Sequence, residues 1–201
     1  MKPAFLMATA LILGSSTAWA APSIGKPAPD ATLRDTAGKV HQLTDFQGKT
    51  VVLEWTNHDC PFVVKHYGSD NMQSLQRKAA ENDVVWLTVI SSAPGEQGHV
   101  SPEKANELTA SRNAQPSAVI LDEDGTVGRL YDARTTPHMY VINPEGALVY
   151  AGGIDSIPSA DPKDIPKAIA HLDLAMTATV AGAEVPVAST RPYGCSIKYA
   201  N

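Results

Sequence analysis

Cys60 and Cys195 are the only two thiols in this chain of 201 residues. Cys60 lies in VVLEWTNHDCPFVVKHY, Val51 to Tyr67, where a hydrophobic run gives way to a polar turn and then to Pro61. Thr56, Asn57, His58 and Asp59 are turn and cap formers, and proline suits the first position of a helix because its missing N–H would have had no partner there. Cys60 is therefore predicted at a helix N-terminus, where unpaired N–H groups and the positive end of the macrodipole favour a thiolate. A fall in its pKa from ~8.5 to ~6.5 would raise the thiolate fraction at pH 7 about 25-fold, while lost nucleophilicity would take back roughly 8-fold. The net gain in attack rate is only a few-fold, so a helix terminus by itself favours thiol–disulfide exchange. Fast peroxide reduction would also need donors aimed at the peroxide oxygens.

Cys195 has three readings. It is a resolving thiol for Cys60, an independent thiol, or half of a permanent disulfide, which for so long a loop would stabilise by about 5 kcal/mol on the chain-entropy model. His58 either supports the thiolate when protonated, against the charge of Asp59, or lines the cleft. With Cys60 and His66 it also offers a soft-metal set, the basis of an alternative reading as a metal-binding or redox-sensing module. That spacing matches no closed zinc pattern, so no metal and no organic cofactor is expected. His66 is otherwise read as a residue of the helix surface, Lys65 as solvated or as an aid to the thiolate, and Trp55 as a core residue supporting the site. Asp122-Glu123-Asp124-Gly125 lacks the alternating ligands of a calcium loop and reads as an acidic turn.

These residues need a scaffold. Val51–Trp55 has the β-branched and aromatic content of a central strand, and Val84–Ile90 is a near-continuous apolar run of the kind buried on both faces of a parallel sheet. A hairpin is predicted from Ala31 to Leu43 around Asp35-Thr36-Ala37-Gly38. A helix after Cys60 is interrupted at Gly68-Ser69-Asp70 and restarts with Asp70 and Gln73 as a capping pair. Ser101-Pro102 starts another helix, Ala118–Leu121 is a strand, and Met139–Ile142 returns through Asn143-Pro144-Glu145-Gly146 into Ala147–Gly152. A last helix is predicted from Ile165 to about Gly182, with Ile165, Ile169, Leu172 and Met176 on one face. An irregular tail, residues 184–201, follows. This order gives an α/β fold with a central mixed β-sheet flanked by helices, an N-terminal β-hairpin and a C-terminal extension.

Residues 1–20, with Lys2, an apolar stretch and Ala18-Trp19-Ala20, read as a secretory signal peptide cleaved after Ala20. The remaining chain, residues 21–183 with their tail, fits one domain. It is expected to be soluble and periplasmic or secreted from a bacterium, with no membrane association after cleavage. A net charge of −5 and the absence of any Lys and Arg cluster argue against nucleic acid as a partner.

PAPDATLRDTAGKVHQLTDFQGKTVVLEW, NHDCPFVVKHY, TPHMYVI and the terminal GCSIKY resemble the peroxiredoxin-like branch of the alkyl hydroperoxide reductase/thiol-specific antioxidant (redoxin) superfamily. The resemblance implies a thioredoxin-like fold and an antioxidant or thiol–disulfide oxidoreductase activity. It further implies a catalytic set of Cys60, Cys195, Pro137 and Thr136, supported by His58, Pro61 and Trp55. Pro137 matches the cis proline that faces the active cysteine, and Thr136 would offer backbone groups to a bound peptide. Expected partners are a protein or small-molecule thiol or disulfide, or a peroxide, together with an electron donor that the sequence does not identify. Val63 stands where thioredoxins carry their second cysteine, and Asn57 where a peroxidase constellation would need Thr or Ser, so only a weak thiol peroxidase is left as an alternative.

Overall fold

The computed structural model describes residues 21–200, and the expected signal peptide lies outside them. Two short strands, β1 (Thr32–Arg34) and β2 (Val40–Gln42), form the expected hairpin, in which Asp35 accepts from the N–H groups of Ala37 and Lys39. The main sheet has five strands: β3 (Val51–Trp55), β4 (Val85–Ile90), β5 (Ala118–Leu121), β7 (His138–Ile142) and β8 (Leu148–Gly152). Their order is β5-β4-β3-β7-β8, with β3, β4 and β5 parallel and with β7 and β8 antiparallel additions. β3 is thus the central strand, and all five of its residues are buried.

Helices α1 (Pro61–Gly68), α2 (Asn71–Glu81) and α5 (His171–Val180) cover one face of the sheet, and there Val52, Val63, Met72, Trp86, Val141, Tyr150 and Leu172 pack together. The other face carries Leu53, Trp55, Leu87, Ile120, Tyr131 and Tyr140, closed by the hairpin and by α4 (Thr126–Leu130). α3 (Pro102–Ser111) starts as expected, with the Ser101 hydroxyl accepting from the Lys104 N–H, and it covers Ile90 and Val119.

Two expectations about these elements are corrected. The 165–182 helix is shorter, because Pro162–Lys167 is a 3-10 turn and Ala168 is extended before α5 begins at His171. Pro166 has no N–H to donate and disfavours helical backbone at Ile165, and Ile169 is left exposed. Asp70 adopts φ 60° and makes no side-chain cap bond to α2. Its carboxylate instead pairs with Arg77, and the Gln73 amide donates to the carbonyls of Tyr67 and Arg112.

The tail has little regular secondary structure, yet it is docked. Ser189 bridges Ala151 at the β8 edge, and Cys195–Ser196 forms a strand, β9, against β6 (Thr135–Thr136). Tyr199 then packs its ring on Gly125 and Gly128 and donates to the Ala133 carbonyl at 2.7 Å. Apolar and hydrogen-bonding groups dispersed along β8, β6 and α4 capture it, and none of them is close to it in sequence.

Candidate active site

Cys60 is placed by a turn that is fixed on both sides. Asn57 accepts from the Asp59 N–H through its side chain at 2.9 Å and from the Cys60 N–H through its carbonyl at 3.1 Å. Its side-chain amide donates to Gln97 O, and Arg112 donates to His58 O, both at 3.3 Å. Gly98, at φ 91°, leaves the space that the Asn57 amide fills. Cys60 is then the N-cap of α1 with Pro61 as the first helical residue, as the sequence predicts.

The sulfur has no exposure to solvent. Across from it the Thr136–Pro137 peptide is cis, and Thr136 is the backbone partner of Cys195 in the β6/β9 pair. The backbone groups expected to meet a bound peptide are therefore met by the chain's own tail. Gly194, at φ 128°, allows this approach, since a Cβ there would collide with the Thr136 carbonyl. The Cys60 thiol donates to that carbonyl at 3.0 Å, whereas the buried Thr136 hydroxyl has no hydrogen-bond partner among the described residues.

The two thiols are electrostatically unequal. Burial pushes the Cys60 pKa up, but hydrogen bonds from the Cys195 thiol, Thr136 and the Cys195 and Val63 backbone outweigh it, leaving Cys60 below its ordinary value. Burial, its bond to Cys60 and the Cys60 charge push Cys195 the other way, to about 11. Of the pair, Cys60 is therefore the sulfur that ionises first and Cys195 the one that holds its proton longer. Both cysteines are free thiols in this structure.

Of the other expected residues, Pro61 is in place, while His58 is partly exposed with its Nε2 3.4 Å from Asp59 Oδ1. Burial lowers its pKa, Asp59 opposes this, and Arg112 and Lys104 add to it. Trp55 donates to Ser91 at 3.0 Å and packs with Tyr131 and Tyr140, so its side chain lies on the sheet face opposite Cys60. His66 is not on the helix surface. It is fully buried, with Asn71 at 2.8 Å from Nδ1 and the Tyr193 hydroxyl at 3.2 Å from Nε2. Both ring nitrogens are engaged, and among the described residues no group of three or more His, Cys, Asp or Glu is arranged to hold a metal ion.

Two buried polar clusters involve α1, the helix that Cys60 caps. Glu54, on β3, is fully buried and accepts from Tyr67, Trp86 and Thr88 at 2.8, 2.8 and 3.0 Å. Lys65 is also buried, not solvated, and its Nζ lies 3.4 Å from Asp155, which accepts from the Tyr193 hydroxyl at 2.6 Å. A carboxylate in the otherwise apolar run VVLEW is a signal that could have marked Glu54, whereas no local signal marks Asp155 or Tyr193.

A cysteine capping a helix against the Thr136–Pro137 loop, at one end of a mixed five-strand sheet, is the arrangement of the thioredoxin-like class. The chain belongs to the AhpC/TSA family, whose model matches residues 24–151. That match ends before the tail, so it does not bear on Cys195. The chain is 29% identical over 127 residues to the thiol-disulfide oxidoreductase ResA of Bacillus subtilis, covering 63% of this chain and 65% of that protein's length. An uncharacterized conserved protein of Geobacillus kaustophilus has a similar solved structure, with a TM-score of 0.77 and 25% identity over 89% of this chain and 93% of that one. A putative thioredoxin from Neisseria meningitidis shares the fold, with a TM-score of 0.53 and 19% identity over 77% of this chain and 92% of that one.

Proposed function

We propose that this protein is an exported thiol–disulfide oxidoreductase in which Cys60 attacks and Cys195 resolves. The observation that carries the reading is the unequal pair: Cys60, bonded to the Thr136 carbonyl and the more readily ionised, and Cys195, docked as the backbone partner of that same threonine. The similarity to a thiol-disulfide oxidoreductase supports the reaction class, and the leader-like first twenty residues support export.

The Cys60 thiolate attacks one sulfur of a substrate disulfide, forming a mixed disulfide and releasing the other sulfur as a thiolate. Cys195 then loses its proton to solvent and attacks the Cys60 sulfur. The bond to substrate breaks, the second substrate thiolate leaves, and a Cys60–Cys195 disulfide remains. Two electrons have passed from the cysteine pair to the substrate, and an external dithiol restores them by the same exchange in reverse. The low Cys60 pKa makes it the better leaving group in that return step. Because Cys60 is covered, a substrate gains access only when β9 moves aside.

The test is a redox titration with trapping of free thiols and location of any disulfide by peptide mass. A Cys60–Cys195 bond with a potential between ~−120 and ~−270 mV belongs among exchange-active pairs and supports the reading, and one that resists reduction below ~−300 mV is a structural staple and overturns it. In Cys195→Ser, a substrate disulfide should leave a persistent adduct on Cys60. A Cys60→Ser protein that kept full reductase activity would equally overturn the proposal.

A further inference from the structure

Tyr193 lies two residues before Cys195 and ties the tail to the helix that Cys60 caps. Its hydroxyl donates to Asp155 Oδ1 at 2.6 Å and meets His66 Nε2 at 3.2 Å. Its ring stands edge-on to Phe62 with centroids 5.7 Å apart, and Lys65 Nζ is 5.8 Å from the ring centroid. Phe62, Lys65 and His66 all belong to α1. Asp155 is itself fixed, since it accepts from the Ile157 N–H at 3.0 Å and lies 3.4 Å from the Lys65 ammonium, whose side chain is fully buried. The helix, the loop after β8 and the tail therefore meet at one hydroxyl.

A buried Lys and Asp are a costly way to fill space. Their desolvation offsets much of their attraction, and apolar side chains of similar volume often stabilise as well or better, so such a pair is better understood as fixing one geometry. What it fixes here is the tail. The partners of the Cys60 sulfur are Thr136, Cys195 and Val63, so the cluster does not touch the reacting atoms. It acts two residues away, on the approach of Cys195.

We infer that Tyr193, through its hydroxyl bond to Asp155, is a positioning residue that holds the Cys195 thiol at Cys60 and thereby sets the redox potential of the pair. The inference rests on the proposed pairing of the two cysteines. The disulfide equilibrium depends on how often the Cys195 thiol is found beside Cys60, and a freely moving tail presents it less often than a pinned one. Removing the hydroxyl while keeping the ring should lower that effective concentration about tenfold, which raises the potential by about 30 mV toward oxidising values.

The experiment measures the Cys60–Cys195 potential of the full chain in glutathione redox buffers, for wild type, Tyr193→Phe, Asp155→Asn and Thr190→Val. Tyr193→Phe keeps the contacts with Phe62 and Lys65, so it is the variant most certain to fold. The expected result is a shift of about tenfold in the equilibrium for Tyr193→Phe and in the same sense for Asp155→Asn. The mixed disulfide of Tyr193→Phe with a small-molecule disulfide should also resolve about tenfold more slowly, because the same loss of proximity acts on that step. Thr190→Val cuts the tail's bond to the Tyr150 hydroxyl, 2.7 Å long and five residues before Cys195, and should move the potential much less. A Tyr193→Phe potential equal to wild type overturns the inference, as does a Thr190→Val shift of the same size, since either would leave the hydroxyl with no special role. Failure of the wild type to form the disulfide at any poise would instead overturn the pairing on which the inference rests.

Discussion

Cys195 lies as the antiparallel backbone partner of Thr136, the residue whose carbonyl accepts the Cys60 thiol. The tail thereby closes the site and delivers the second sulfur in a single contact. Gly194 is the hinge on which this depends, because it is held at φ 128° against the Thr136 carbonyl. Gly194→Ala should cost about 1–3 kcal/mol for a backbone region that side chains rarely adopt, before any cost of the collision itself. That is enough to populate an undocked tail roughly tenfold more often. The rate of Cys60 alkylation should rise by a similar factor when measured at alkaline pH, where both forms are ionised. An unchanged rate would mean that something other than the tail shields this sulfur.

The low Cys60 pKa rests on donors that outweigh its burial, so it should respond to their removal in a set direction. Thr136→Val deletes a buried side-chain hydroxyl that helps to lower the Cys60 pKa, and that pKa should rise. Cys195→Ala should raise it as well. Thiolate ultraviolet absorbance followed against pH reads both changes directly, and titration curves that superimpose on wild type would refute the donor role. The sign runs from donor loss to a less stable thiolate, hence to less thiolate at neutral pH.

The site was legible in part because its first half is local. Polar turn, cysteine and proline fall within six residues, and their cap chemistry is written in residue type. β3, the break at Gly68-Ser69-Asp70 and the two hairpins were equally readable, since strand alternation and turn residues act over short distances. The second half depends on contacts across long separations. Lys65 and His66 look like surface residues of their helix until Asp155 and Tyr193 arrive from 90 and 127 residues away. The tail has no apolar periodicity of its own, because its order comes from β6, β8 and α4. Trp55 lies next to Glu54 in the sequence, yet pleating sends the two side chains to opposite faces of the sheet.

His66 and His138 give the fold a measurable acid limb. Burial lowers both to about 4 from an ordinary 6.5, with a nearby aspartate opposing in each case: Asp155 for His66 and Asp132 for His138. Their contribution to stability is fully present above pH 6.5 and is lost as the pH falls toward 4, because the unfolded chain takes up the protons first. Each is worth at most about 3 kcal/mol at the acid end. His138→Gln keeps an acceptor for the Tyr140 hydroxyl, so its stability by urea unfolding should fall less than wild type between pH 7 and pH 4.5. Parallel losses in the two proteins would show that His138 protonates in the native fold at its ordinary pH.

Glu54 works in the opposite sense. Complete burial raises its pKa above the ordinary 4.5, and the bonds from Trp86, Tyr67 and Thr88 only partly offset this. The folded state therefore binds the proton more tightly than the unfolded chain does. The contribution of this group to stability is fully present below pH 4.5 and is lost as the pH rises through the folded value, at up to about 1.4 kcal/mol per pH unit. Glu54→Gln should remove that slope while keeping an acceptor for the three donors. The histidines titrate in both proteins and cancel, so the difference between wild type and Glu54→Gln from pH 4.5 upward isolates this carboxyl. Urea unfolding at a series of pH values should show wild type losing stability relative to the variant as the pH rises. A constant difference would mean that the native fold holds Glu54 ionised, with its donors outweighing its burial, and the buried carboxyl beside α1 would then be a fixed negative charge.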